Sequence, residues 1–291
     1  MTAGAGARLA ACAAALVVPV CLTAQTPSLD DVLDRLGAYL ADYEVKLTTV
    51  AADERFEQRY RTWTGSFNSV DERRTLRSDF IFLRLPGGSA WMGMRDTYEV
   101  DGAPSRGKQA RLEQMLASAD RGAMDEARRI VDGNRRHNLG PVQRTVNVPT
   151  QALDMLARQH RSRFKFARTG ETRLDGVRVW TISFTEQTRP TMVVTPFGDD
   201  VRTRGIAWID PITGAVRRTQ LDFELEDSGE AGLSRIEVRY AHDAALGLLV
   251  PEEMTERYSA KLSRFHSFEL ATKASYKDFR SFQTSARLIP R

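Results

Sequence analysis

The chain has 291 residues, of which 42% are apolar, 27% charged and 8% aromatic. That is ample material for a buried core, and it excludes a disordered tail or a collagen-like chain. The 42 basic residues exceed the 38 acidic ones by only four, too small a surplus to demand the basic stripe of a nucleic-acid binder.

Arg8 is the only charge before Asp30, and it precedes an apolar and small-residue run from Leu9 to Leu22 that ends in Thr23-Ala24-Gln25. This order defines a secretory signal peptide. Cleavage is expected after Ala24, with Gln25 as second choice, giving a periplasmic or secreted protein. The run is shorter than the ~20 residues that span a bilayer. No later window reaches that length without charge, so no integral membrane span is expected in the mature chain. Both cysteines, Cys12 and Cys21, lie in this segment. Lipoprotein anchoring through Cys21 is the alternative, although Val20 before it is not the small residue such a signal carries. Cleavage at Ala24 leaves a mature chain without cysteine, and hence without disulfides, thiol catalysis or Cys-ligated zinc.

Ser28 is a suitable N-cap, with Asp30 and Asp31 in the first turn. Leu29, Val32, Leu33, Leu36, Leu40, Tyr43 and Leu47 then recur at helical spacing, which predicts an amphipathic helix ending in the forties. From Glu54 the period becomes two, with Phe56 and Tyr60 alternating with Arg55, Glu57, Arg59 and Arg61. Strands are expected at Thr75–Leu85 and Ala90–Val100, the second closed by an Asp101-Gly102 turn. Residues 106–138 are rich in Ala, Arg, Glu, Gln and Met and read as two short helices broken near Arg121-Gly122. A third helix is expected over about Pro149 to His160.

The C-terminal half returns to strands. Val177–Thr185 alternates so that Trp180, Ile182 and Phe184 share one face. Asp210-Pro211-Ile212-Thr213-Gly214 is a turn with Pro and Gly in the expected places. Beyond it Leu221, Phe223 and Leu225 share a face, and Ile236, Val238 and Tyr240 alternate with Arg235, Glu237 and Arg239. The last strands run over about Glu252–Ser263 and His266–Phe279. Successive strands on short turns make an antiparallel meander with one apolar face, which must curl over something to bury it.

No reaction centre emerges. His137, His160, His242 and His266 form no metal-binding pair spacing, and there is no nucleophile elbow, dinucleotide fingerprint or Walker loop. Ser105-Arg106-Gly107-Lys108 matches S-x-x-K, but its companion S-D-N and K-T-G motifs are missing. No cofactor and no metal are expected. Arg158, His160, Arg161, Arg163, Lys165 and Arg168 cluster around Phe164 and Phe166. This cluster reads either as an anion-binding stretch or as a helix end running into a charged edge strand, and the second reading is preferred.

The export signal, the amphipathic first helix, the long meander and the helical insert together resemble the bacterial periplasmic lipoprotein-carrier and outer-membrane lipoprotein-sorting family. The Asp210–Gly214 turn followed by a charged strand is similar to a hairpin of those half-barrels. The chain also resembles uncharacterised secreted bacterial proteins with patterns like Trp91-x-x-x-Arg95-Asp96 and Tyr276-x-x-Phe279-Arg280. The resemblance implies an α+β fold, a long antiparallel meander curled into an open half-barrel, with the N-terminal helix and the insert at about 106–160 as lid. A single domain over 25–291 follows the signal peptide. The expected function is non-enzymatic binding or carriage of a lipid, acyl chain or lipoprotein in a hydrophobic hollow. Trp180, Ile182, Phe184, Leu221, Phe223, Leu225, Ile236, Val238 and Tyr240 are the expected lining, and the same residues would equally fill the core of a packed sheet. An envelope scaffold or sensor binding a protein partner is the alternative, and an enzyme whose site assembles only in three dimensions is a third reading. Nucleic acid is not an expected partner.

Overall fold

The computed structural model describes residues 26–47, 50–65, 68–84, 91–105, 135–141, 148–195, 198–225 and 232–281. The expected signal peptide and most of the segment expected as two helices over 106–138 lie outside the described residues; of that segment only 135–138 are described, with a 3-10 turn over Arg135–His137.

The first helix, α1 (Leu29–Leu47), begins as its sequence dictates. Ser28 Oγ accepts a hydrogen bond from the Asp31 N–H at 3.1 Å, and the Asp31 carboxylate accepts one from the Ser28 N–H at 2.9 Å. This reciprocal cap satisfies donors that the first turn leaves open. The predicted apolar stripe is the buried one: Val32, Leu33, Leu36, Leu40, Tyr43 and Leu47 all face the protein interior.

Eleven strands form one antiparallel sheet: β1 (Val50–Thr64), β2 (Asn68–Arg84), β3 (Trp91–Val100), β4 (Ala103–Pro104), β5 (Phe164–Leu174), β6 (Val177–Glu186), β7 (Arg202–Ile209), β8 (Val216–Leu225), β9 (Gly232–Asp243), β10 (Leu248–Ser263) and β11 (His266–Ser281). Their order is β4-β3-β2-β1-β11-β10-β9-β8-β7-β6-β5. The sheet is open, because its two edges, β4 and β5, do not pair. It is also two meanders rather than one, sewn together where β1 pairs with β11, Thr64 opposite His266 and Glu54 opposite Tyr276. Asp101-Gly102 and Asp175-Gly176 take positive φ at both positions of their two-residue turns, the geometry that matches strand twist.

The helix expected over 149–160 is shorter. An α-helix, α2, spans Gln151–Leu156; Ala157 is extended at φ −60°, ψ 146°, and a 3-10 helix follows over Arg158–Arg163. That break turns the chain into β5, so the basic cluster is indeed a helical end running into an edge strand. Arg161 pairs with Asp30 at 2.8 Å and Asp34 at 2.7 Å, Arg163 with Glu186 at 3.1 Å and Arg168 with Glu171 at 2.9 Å.

Candidate functional site

The concave face of the sheet carries the site. Alternation places Trp180, Ile182 and Phe184 of β6 inward, and the register continues the row across β7, β8 and β9. Phe184 stands opposite Gly205, Gly205 opposite Leu221, and Leu221 opposite Ile236. Trp180, Ile182, Phe184, Leu221, Phe223, Ile236, Val238 and Tyr240 are each at most 3% exposed and belong to one cluster with the apolar stripe of α1. Leu225 is in β8, but its side chain lies outside the described residues. The nine residues singled out in the sequence therefore lie on three strands of one sheet, and eight of them share one buried face.

They are tightly packed. A Cβ placed on Gly205 would lie 2.3 Å from the Phe184 ring, so this glycine exists to let the ring cross the neighbouring strand. Phe164 meets Phe184 edge-on at 5.8 Å. The Tyr240 hydroxyl donates to the Pro149 carbonyl at 2.7 Å, tying β9 to the start of the α2 segment.

Above this face lie α1, α2 and the 3-10 helix. The cover is fastened at its rim. Arg35 of α1 donates to the Pro211 carbonyl at 2.5 Å, Arg161 holds Asp30 and Asp34, and Arg158 donates to the Asp34 carbonyl at 3.5 Å. Asp30 and Asp34 have side chains 85% and 61% exposed, so these ion pairs are each worth about 1 kcal/mol or less. The cover is held mainly by its apolar stripe.

Sequence reasoning missed a second feature, a belt of polar side chains on the same concave face at β1, β2, β3, β10 and β11. Glu54 and Arg95, both buried, form an ion pair in which Arg95 Nη2 donates to Glu54 Oε1 at 2.6 Å. The guanidinium also lies 4.4 Å from the Phe56 ring. Burial opposes its charge, but Glu54 more than offsets that and raises the Arg95 pKa above its ordinary value. Tyr276, opposite Glu54, has its hydroxyl pushed well above the ordinary range by burial and then by Tyr276's carboxylate neighbour Glu54. Ser78 and Thr97 share a hydrogen bond at 3.2 Å, and Gln58 accepts from the Leu139 N–H at 3.1 Å while donating to the His137 carbonyl at 2.9 Å. Glu256, Thr272 and Ser234 are buried on the neighbouring strands. A smaller apolar cluster of Leu139, Tyr258, Phe268 and Leu270 lies beyond the belt. The signal was present in phase: Glu54 and Gln58 occupy the same alternating positions as Phe56 and Tyr60, and polar residues at inward positions mark a buried polar site.

Among the described residues no group of three or more His, Cys, Asp or Glu could hold a metal ion. His137 and His160 stand apart. Of the S-x-x-K match only Ser105 is described, and its N–H bonds the Tyr98 carbonyl at 2.8 Å. Among the described residues no helix is long and apolar enough to cross a membrane.

No protein-family model and no curated protein matches the sequence. Solved structures do resemble it. A Vibrio parahaemolyticus domain named for outer membrane lipoprotein sorting is 10% identical, covering 87% of this chain and 94% of its own at a TM-score of 0.38. A DUF1329 family protein from Desulfovibrio piger is 11% identical, covering 88% and 94% at a TM-score of 0.34. A LolA superfamily protein from Nitrosomonas europaea is 11% identical, covering 85% and 94% at a TM-score of 0.26. The family that the sequence resembles is thus among the structures to which this chain is similar.

Proposed function

We propose that the chain is an exported, non-enzymatic carrier or binding protein for a lipid, acyl chain or lipoprotein, with its signal peptide removed near Ala24. The observation that carries this reading is the concave apolar face closed by a helical cover whose rim ion pairs, Arg161 with Asp30 and Asp34, are exposed and weak. The energies of cover and cargo match. Burying Val32, Leu33, Leu36, Leu40, Tyr43 and Leu47 of α1 is worth on the order of 10 kcal/mol at ~1.5–3 kcal/mol per large side chain. An acyl chain of about sixteen carbons withdrawn from water gains about 12 kcal/mol at ~0.8 kcal/mol per methylene. An exchange of cover for cargo is therefore nearly balanced, which a carrier that must both load and release requires. On this reading Trp180, Ile182, Phe184, Leu221, Phe223, Leu225, Ile236, Val238 and Tyr240 line the cargo site once α1 yields.

A scaffold that recruits a partner by strand addition finds less support. The edge strand β4 has two residues, and the edge strand β5 carries Lys165, Arg168, Glu171 and Arg173, charges that discourage pairing.

Native mass spectrometry of protein purified from its own cell envelope tests the proposal. A lipid adduct on a chain beginning at Gln25, displaced by a fluorescent fatty acid, is the expected result. Protein without adduct that also fails to bind the acyl probe would overturn it.

A further inference from the structure

The sheet has one end unlike the rest of its surface. The last residues of β1, the first of β2 and the β10–β11 hairpin meet there: Thr64 stands opposite both Asn68 and His266, and the Gly65 N–H donates to the Phe265 carbonyl at 2.7 Å. Among the described residues six large apolar side chains are exposed, and three of them, Trp63 (40%), Val70 (44%) and Phe265 (69%), gather at this end. Register puts Trp63 and Val70 on opposite faces of the sheet, with Phe265 in the turn beside them. The apolar surface therefore belongs to the tip, not to either face.

Its charges are biased. Asp71 is taken by Arg59 at 2.5 Å and Glu269 by Arg61 at 2.5 Å, and the Arg61 guanidinium also lies 5.5 Å from the Trp63 ring. Lys261 and Arg264 make no ion pair among the described residues. Between the hairpins is a cleft of about 510 Å³ whose lining includes Trp63, Lys261, Arg264, Phe265, His266 and Phe268. Phe268 also belongs to the small buried cluster beyond the polar belt, so the cleft leads from the tip towards the concave face.

We propose that this tip is a docking surface for an anionic phospholipid bilayer. Trp and Phe at the tip suit the headgroup level, where an amphipathic ring has one end wet and one apolar. Lys261 and Arg264, with no acidic partner among the described residues, take lipid phosphates. The docking surface does not depend on the concave face carrying cargo.

Flotation of the purified chain with phosphatidylcholine vesicles, with and without phosphatidylglycerol, tests this. Binding should require phosphatidylglycerol and fall as salt rises. Lys261→Gln with Arg264→Gln should weaken it about twenty-five-fold, since each basic residue near an anionic surface contributes roughly fivefold. Phe265→Ser should weaken it about tenfold, and Ile212→Ser, at the exposed turn after β7, should leave it unchanged. Circular dichroism confirms that each variant is folded. Binding that ignores phosphatidylglycerol, folded tip variants that bind like the parent, or no vesicle binding, including capture by peptidoglycan instead, would each overturn the proposal. A chain that docks yet purifies without lipid and fails to bind the acyl probe removes the carrier reading and leaves the docking surface standing.

Discussion

Glu54 and Arg95 are the charges whose removal singly should cost most, because each is buried and compensated by the other. Arg95→Met should destabilise the protein by about 3–5 kcal/mol by leaving a buried carboxylate uncompensated, whereas Glu54→Leu combined with Arg95→Met should recover most of that loss. Urea denaturation of the three chains measures both values, and a double variant as unstable as the single one would show that the pair is more than mutual neutralisation. The apolar face has its own residue-scale test. Ile182 is fully buried, while Arg178, in the same alternation but at the start of β6, is exposed and pairs with Glu171 at 2.8 Å. Ile182→Asp should cost about 3–5 kcal/mol by burying an unpaired carboxylate, and Arg178→Asp about 1 kcal/mol or less. Equal melting temperatures would mean that Ile182 is not in the buried core.

At the scale of elements, the turn between β7 and β8 positions α1. Asp210 organises it: its carboxylate accepts from the Ile212 N–H at 2.8 Å and the Thr213 hydroxyl at 2.8 Å, while the Gly214 N–H bonds the Asp210 carbonyl at 2.9 Å. Gly214 has φ +76°, and a Cβ there would lie 2.4 Å from the backbone of Arg35. Gly247 has a similar φ of +65°, but open space around it. Gly247→Ala should therefore cost only the left-handed strain, about 1 kcal/mol. Gly214→Ala should cost about 2–4 kcal/mol, because α1 must also shift. Hydrogen exchange locates the difference: amides of Leu29–Leu47 should exchange faster in the Gly214 variant and not in the Gly247 variant. Both the turn and α1 were legible in the sequence, since a Pro/Gly turn and a 3.6-residue stripe are local signals. The early end of α2 was not, because the extended Ala157 has a sequence neighbourhood that reads as continuous helix.

The whole molecule should lose stability in two steps on acidification. Burial, with Arg136 and Arg74 adding to it at His137 and Arg163 at His160, holds both imidazoles below their ordinary 6.5. The fold thus favours the neutral rings, the unfolded chain binds protons first, and stability falls as pH drops below 6.5. Asp31, Asp71, Glu171 and Asp200 are held below their ordinary values, Asp31 by the Ser28 N–H, Asp71 by Arg59, Glu171 by Arg178 and Asp200 by the Thr191 N–H. Their contribution is complete above the ordinary carboxylate range and is lost as pH falls through the lowered values. Thermal melts from pH 7 to 3 should show both steps, and His137→Asn with His160→Gln should flatten the first alone. The sequence by itself determined that Trp180, Ile182 and Phe184 of β6, Leu221 and Phe223 of β8, and Ile236, Val238 and Tyr240 of β9 face inward, because alternation follows from the pleat of a strand regardless of its neighbours. It likewise determined where α1 lies and that the C-terminal strands form a meander. Only the tertiary structure decided that β1 joins β11, a pairing that brings together residues such as Arg61 and Glu269, 208 positions apart. Loop closure costs grow only logarithmically with length, so nothing local marks a strand's distant partner. That one junction assembles both the Glu54 belt, where β1 faces Tyr276, and the tip, where Trp63 and Phe265 line one cleft; neither exists until β1 and β11 are sewn into one sheet.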